Sequence, residues 1–352
     1  MIGGGDRGNR DAEGGANMSA DGSALPLVKI ISTGGTIANT AGGRVAIEEV
    51  IREIPEAGQL ARYEIEEVCR VGAETFTPEH WLLIGRAVDK ALRGQPEIAG
   101  LLVTHGTFTS EETAYFLNLT VRTEKPVVVV CSQKPHGTLG NDGDFNFVCA
   151  TRVALDPQAR GQGVLLVMNE TILPGREVLK ASGRAGGFKT RAIGPLGYVD
   201  KDAVVFYQSP RRRHTHRSEF DVAEIESLPR VDIVYAYPGA DGVAIRALVE
   251  EGKAEGIVVA GLTYSGVPAV EQKEELQRAI ARGIPVVLTS RGGENRTPIP
   301  RPDTKPPYTP KPEDYTYVYG DNLSPQKARV LLAVALTRTR ERDELQRIFN
   351  EY

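Results

Sequence analysis

The sequence predicts a two-domain α/β fold, with a larger N-terminal domain around a doubly wound, mostly parallel sheet and a smaller C-terminal α/β domain. Three observations carry that expectation. Apolar, largely β-branched runs such as Val127-Val128-Val129-Val130 and Gly256-Ile257-Val258-Val259-Ala260 lack polar alternation and read as strands buried on both faces. Stretches with helical periodicity separate these runs at the spacing of βα units. The alternation lapses between Asn169 and Pro229 and then resumes, in a chain of 352 residues that is long for a single core. The expected parts are residues 27–210, a linker over 211–228, and residues 229–352.

Residues 1–26 read as a disordered leader. Met1 to Ala24 is rich in Gly, Asp, Asn and Ser, with no apolar run long enough for a signal peptide or a membrane span. Leu27 to Ser32 is strand-like and breaks at Thr33-Gly34-Gly35-Thr36, where two glycines allow a tight turn and close approach to a ligand. Gly42-Gly43 marks a second turn, so the segment between can close over a site. An ordinary strand-loop connection with a capping threonine is the alternative. Ile47 to Leu60 is helical, Tyr63 to Val68 alternates as a strand with an exposed face, and Pro78 to Leu92 is a helix with Thr77 as N-cap.

Leu101 to Thr104 then reads as a buried strand, His105-Gly106-Thr107 as a tight turn, and Ser110 to Leu117 as the start of a helix. Thr109 and Glu112 have capping-box spacing, and Glu111 and Glu112 suit the positive end of the helix dipole. Such a turn, at the carboxyl edge of a parallel sheet, is where open α/β proteins place ligands. Val127 to Val130 is the next strand, Gln133 to Asn146 a polar loop, the stretch to Ala154 a helix, and Gly163 to Met168 another buried strand.

Within the sparser stretch, Arg211-Arg212-Arg213-His214 reads as a solvated linker face, not a nucleic-acid patch, because the surrounding chain is not basic and lacks interleaved aromatics. Strands are expected at Val231 to Ala236, Gly256 to Ala260 and Pro285 to Thr289, and helices around Val243 to Glu251 and Pro268 to Arg282. Leu323 to Phe349 closes the chain as helix from Ser324 and Pro325.

A net charge of -4 favours neither nucleic acid nor an anionic membrane as partner. The three cysteines, Cys69, Cys131 and Cys149, form no CxxC pair and no Cys/His cluster, which argues against a disulfide framework and a zinc site. The expectation is a cytoplasmic protein acting on a small molecule, without cofactor or metal.

Two stretches in order carry a family resemblance. Thr33-Gly34-Gly35-Thr36-Ile37-Ala38, followed by Thr104-His105-Gly106-Thr107 with Glu111-Glu112-Thr113-Ala114, resemble the signature motifs of the bacterial-type L-asparaginases and glutaminases. Collinear matches at Asp142-Gly143-Asp144-Phe145-Asn146, Gly175-Arg176-Glu177-Val178 and Ser324-Pro325-Gln326-Lys327-Ala328-Arg329 extend the likeness over residues 27–352. The resemblance implies an asparaginase-like fold and a hydrolase in which Thr36 is the nucleophile, forming an acyl-enzyme that water cleaves. It gives Thr107 a role in moving protons or orienting attack, and makes Lys180, which alone reads as a surface lysine, its basic partner. Backbone N–H groups near Thr107 and the loop at Ser132 would stabilise an oxyanion. It also implies a homotetramer of tight dimers in which a partner subunit completes each site.

Four departures bear on the substrate. Phe108 stands where the family has an aspartate for the substrate's α-ammonium group, and Ala73-Glu74 where it has a Ser-Gln pair for the α-carboxylate and amine. The loop from Asn39 to Arg44 is short and has no lid tyrosine, and Leu262-Thr263-Tyr264-Ser265-Gly266 replaces the Gly-Asn motif lent by a neighbouring subunit. These changes predict a substrate, an amide or else a lactone or ester, without the L-asparagine head group, with Glu74 facing a cationic group instead. They also predict a Lys180 pKa lowered by desolvation. A genuine L-asparaginase of low efficiency, a catalytically silent small-molecule binder, and acyl transfer to an amine remain open alternatives.

Overall fold

The computed structural model describes residues 24–352 apart from 41, 192, 293 and 306–308, so the expected leader lies almost wholly outside the described residues. From β1 (Leu27–Ser32) the chain passes through a hairpin of β2 (Asn39–Thr40) and β3 (Gly43–Arg44), then α1 (Ile47–Arg52) and α2 (Pro55–Leu60), to β4 (Arg62–Glu67). Helix α3 (Pro78–Gly94) carries it back to β5 (Ile98–Thr104). The sheet then grows the other way through α4 (Ser110–Thr120), β6 (Val127–Val130), α5 (Gly143–Leu155) and β7 (Val164–Met168). Next come β8 (Thr171–Pro174), a ribbon of β9 (Val178–Lys180) and β10 (Phe188–Thr190), then β11 (Gly197–Val199) and β12 (Val204–Phe206).

The large sheet has the order β12-β11-β8-β7-β6-β5-β1-β4. Strands β4, β1, β5, β6 and β7 are parallel, whereas β8, β11 and β12 are added antiparallel. Because side chains alternate across a strand, Val128 and Val130 join Val28, Ile30 and Leu102 on the face covered by α1, α2 and α5. Val127 and Val129 join Ile31, Leu101 and Val103 on the face covered by α3 and α4. Four consecutive valines are tolerated because both faces are dry.

The second half is a parallel sheet, β13 (Val231–Tyr235), β14 (Gly256–Gly261), β15 (Val286–Ser290) and β16 (Val318–Tyr319). Helices α6 (Val243–Glu250) and α7 (Val270–Ala281) cover one face, around Ile245 and Leu276. The other face packs on α8 (Pro325–Ala335), and α9 (Arg342–Glu351) ends the chain. Helix α8 also packs on α4, so Val258 and Val287 of the small sheet share one apolar cluster with Leu101 and Val103 of the large one.

Several expectations change in detail. The helix from Ile47 to Leu60 is two helices, because Pro55 opens α2 at a position where its missing N–H and its ring would break a continuous helix. The last helix is likewise two, parted by residues 336–341. Helix α5 begins at Gly143, inside the stretch read as loop. The sparse region supplies five strands, most of them three residues long and too short to show a period. Thr109 precedes α4 without a side-chain cap bond; Glu112 N–H bonds the Thr109 carbonyl instead. The basic cluster is a solvated face only in part: Arg211 is exposed, but the next three residues are engaged. Arg212 bonds Asp321 at 2.5 Å, Arg213 bonds Glu351 at 2.7 Å and lies over the Tyr352 ring, and His214 is buried with its pKa pushed down to about 4, first by burial.

Phe116 on α4 is fully buried and stacks on Trp81 at a centroid distance of 5.9 Å. Phe116→Ala should cost about 3–5 kcal/mol, read as a lower urea midpoint at unchanged slope.

Candidate active site

Parallel neighbours end on the same side, so β4, β1, β5 and β6 deliver their following loops to one edge of the sheet. The chain leaves β1 toward β4 and leaves β5 toward β6, so the connections diverge there and leave a crevice, the switch point of a doubly wound sheet. Thr36 follows β1 and Thr107 follows β5.

The two loops meet backbone to backbone. Gly35 has φ of +92°, and a Cβ placed on it would lie 2.5 Å from the Gly106 nitrogen and 2.6 Å from the His105 carbonyl oxygen. Only glycine combines this conformation with this approach. One step earlier, Thr33 Oγ1 donates to the Thr104 carbonyl at 2.7 Å. Thr36 opens a single 3₁₀ turn to Ala38, with Ile37 and Ala38 buried beneath it. Its half-buried hydroxyl bonds no other described side chain or carbonyl.

Thr107 is buried in the next turn, and its hydroxyl accepts a hydrogen bond of 2.5 Å from Lys180 Nζ. His105 braces that turn, with Nδ1 2.8 Å from the Gly106 carbonyl and Nε2 2.9 Å from Thr113 Oγ1. Burial pushes its pKa down to about 4, so it is a neutral imidazole that donates from Nδ1 to the carbonyl and accepts at Nε2.

Lys180 ends β9. Its main-chain N–H donates to Glu111 Oε2 at 2.8 Å, and its Nζ lies 4.2 Å from the centroid of the Phe108 ring. No carboxylate among the described residues forms an ion pair with that ammonium group. Burial lowers its pKa, as the sequence led us to expect, while the π face of Phe108 offsets part of the effect by attracting the cation. Phe108 is 73% exposed, so the other side of the ring forms an open apolar wall next to the Thr107–Lys180 pair.

The remaining residues singled out from the sequence are placed as follows. Ala73 and Glu74 lie on a short 3₁₀ turn whose approach, at Arg70, passes 3.6 Å from the Cβ direction of Gly34. Glu74 is exposed, and its carboxylate folds back over Gly72. Ser132, just beyond β6, is fully buried and donates to the Lys134 carbonyl at 2.8 Å, while Asp142 accepts from the N–H groups of Gln133 and Lys134. The Leu262 to Gly266 turn follows β14, with Tyr264 at φ of +81° and largely exposed.

Three residues that the sequence reading named only as parts of motifs turn out to support the site. His105 and Glu111 look like any polar residues beside a turn. Lys327 lies in the polar first turn of α8, between Gln326 and Arg329, where nothing in the sequence marks it as buried. Its buried ammonium donates to the carbonyls of Gly175 and Arg176 at 2.8 and 2.7 Å, fixing the turn that leads into β9, and burial pushes its pKa down to about 7.

A hydroxyl bonded to a partly desolvated amine, beside a second hydroxyl on a touching loop, suits general-base and nucleophilic acyl chemistry. Residues 27–212 match the family model of the asparaginase N-terminal domain, and residues 230–349 that of the glutaminase/asparaginase C-terminal domain. The chain is 36% identical over 339 residues to L-asparaginase 2 of Escherichia coli, covering 94% of each. It is 38% identical over 345 residues to a glutaminase-asparaginase of Pseudomonas fluorescens, covering 93% of this chain and 91% of that one. The crystal structure of a probable cytoplasmic L-asparaginase from Campylobacter jejuni superposes with a TM-score of 0.85 at 34% identity, covering 93% of this chain and 100% of that one.

Two outcomes are expected from the geometry. Gly35→Ala should lower thermal stability by about 1–3 kcal/mol, because both the positive φ and the contact with Gly106 are then strained. Phe108→Asp should move the Lys180 titration to higher pH, since a neighbouring carboxylate favours the ammonium form; ¹³C NMR of reductively methylated lysines reads the shift.

Proposed function

The chain belongs to the L-asparaginase and glutaminase family of amidohydrolases, and from that premise we propose that it hydrolyses a side-chain carboxamide through a threonine ester. Thr36 Oγ1 attacks the amide carbon while its proton passes toward Lys180 by way of Thr107. The C–N bond breaks as the nitrogen takes up a proton and leaves as ammonia, and water then cleaves the acyl-threonine. The observation that carries this reading is the 2.5 Å contact between Lys180 Nζ and Thr107 Oγ1, in a turn whose backbone touches the Thr36 loop.

The names of the relatives, asparaginase and glutaminase-asparaginase, make L-asparagine and L-glutamine the first substrates to assign. A second reading rests on Phe108 and on the Ala73-Glu74 pair. The exposed Phe108 ring against Lys180 offers no acceptor for an α-ammonium group, which favours an amide, lactone or ester without that group. Ala73 and Glu74, which lack the usual hydroxyl for an α-carboxylate, point the same way. The relatives favour the first reading.

We place the reaction in the cytoplasm, consistent with three free cysteines and with the description of the Campylobacter protein. Among the described residues no helix is long and apolar enough to cross a membrane. A homotetramer of tight dimers is proposed as the assembly, to be read by light scattering.

Ammonia release at millimolar L-asparagine and L-glutamine, beside a panel of simple carboxamides, lactones and esters, separates the two readings. Thr36→Ala should lose about 10³-fold or more of whichever activity is found, with unchanged folding. If the parent protein turns over none of them, the hydrolase reading fails.

A further inference from the structure

We infer that His136, held as an imidazolium between Glu53 and Asp144, is the positioning residue of the loop that carries Thr36. The role given to that loop rests on the proposed nucleophile; the clamp itself rests on geometry. His136 is buried in the Gln133 to Asp142 loop. Its Nε2 lies 2.9 Å from Glu53 Oε2, at the end of α1, and its Nδ1 lies 2.7 Å from Asp144 Oδ1, in the first turn of α5. A neutral imidazole has one donor and one acceptor, so it would set a lone pair against one of the two carboxylates. Only the doubly protonated ring satisfies both.

The same residue holds the hairpin through its main chain. His136 N–H donates to the Asn39 carbonyl at 2.8 Å, and His136 forms a parallel bridge with Thr40. Asn39 in turn caps the 3₁₀ turn that begins at Thr36, through its N–H to the Thr36 carbonyl. One residue therefore ties α1, α5 and the β2–β3 hairpin, and the hairpin is the continuation of the Thr36 turn.

Among the described side chains, the charged groups bonded to the ring are Glu53 from α1 and Asp144 from α5. Asn39 of the hairpin meets His136 through its backbone carbonyl, and Lys134 on the same loop points at Gly140. The hydrogen bonds to Glu53 and Asp144 raise the His136 pKa above its usual 6.5 against the opposing effect of burial. A raised histidine pKa means that the clamp is complete at low pH and is lost as pH rises through the folded-state value.

The test uses the full chain and two variants. Backbone amide exchange at Val45, whose N–H bonds the Ala38 carbonyl, and at His136 is followed from acid to alkaline pH and corrected for intrinsic base catalysis. Protection of both should fall as the His136 imidazole, assigned by NMR, titrates above pH 6.5. In Glu53→Gln, which alters a side chain that is 71% exposed, both the titration and the loss of protection should shift to lower pH. In His136→Gln the step in protection should disappear, and the KM for any substrate found should no longer change across that range. A Glu53→Gln profile that superposes on the parent, or a His136 that titrates below 6.5, overturns the inference even if His136→Gln fails to fold. Because exchange needs no turnover, an inactive protein with the step intact would sink the hydrolase reading and leave the clamp standing.

Discussion

Everything at the candidate site depends on the contact between the Gly35 backbone and the His105–Gly106 peptide. Adjacent parallel strands bring the ends of β1 and β5 within a few ångströms, but side chains on the following loops would ordinarily keep the loops apart. Two consecutive glycines at positive φ remove that obstacle. The Thr36 turn can then lean on the Thr107 turn, and each hydroxyl is offered from a backbone braced by its neighbour. A methyl group at position 35 would have to push the second loop, and with it Thr107, away.

The proposed mechanism also requires an amine that is free to act as a base. Lys180 is a poor base as an ordinary solvated ammonium, and the structure weakens its hold on the proton in two ways. It is partly desolvated between Thr107 and the Phe108 ring, and Glu111 Oε2 accepts from its main-chain N–H instead of pairing with the ammonium group. Holding such a group in place falls to contacts that leave its ammonium group unpaired. The neutral His105, the Glu111 carboxylate bonded to the Lys180 backbone and the Lys327 bonds to the preceding turn supply these. Lys327 comes from α8, so the C-terminal half helps to fix a residue of the N-terminal site, and the apolar cluster shared between the two sheets keeps that reach constant.

The proposed His136 clamp extends the same logic to the other hydroxyl. Thr36 sits on a short turn whose own sequence contributes little rigidity, so its stiffness comes from what the turn runs into. That is a hairpin bonded to a loop, and the loop is bonded through one ring to two helices. The Thr107 side is braced by a neutral histidine and the Thr36 side by a charged one, so pH acts on the two halves of the site differently.

The sequence by itself determined the two-domain α/β class, the buried parallel strands, and the loops that hold Thr36 and Thr107. These are written locally, as unbroken β-branched runs and as glycines where a strand must stop. It also carried the motifs, and hence the family and the expectation of Lys180 as partner. Tertiary structure alone decided the rest. Strands β8, β11 and β12 form because an existing sheet edge offers them hydrogen bonds, and β9 and β10 because they pair with each other, not because three residues have a detectable period. Arg212 and Arg213 look like a solvated run in sequence but meet acids more than 100 positions away. The capping-box spacing at Thr109 is present, yet no side-chain cap forms there. What Phe108 does was half legible: the missing acid shows in the sequence, but only the fold places its ring against Lys180 with one face open to whatever binds.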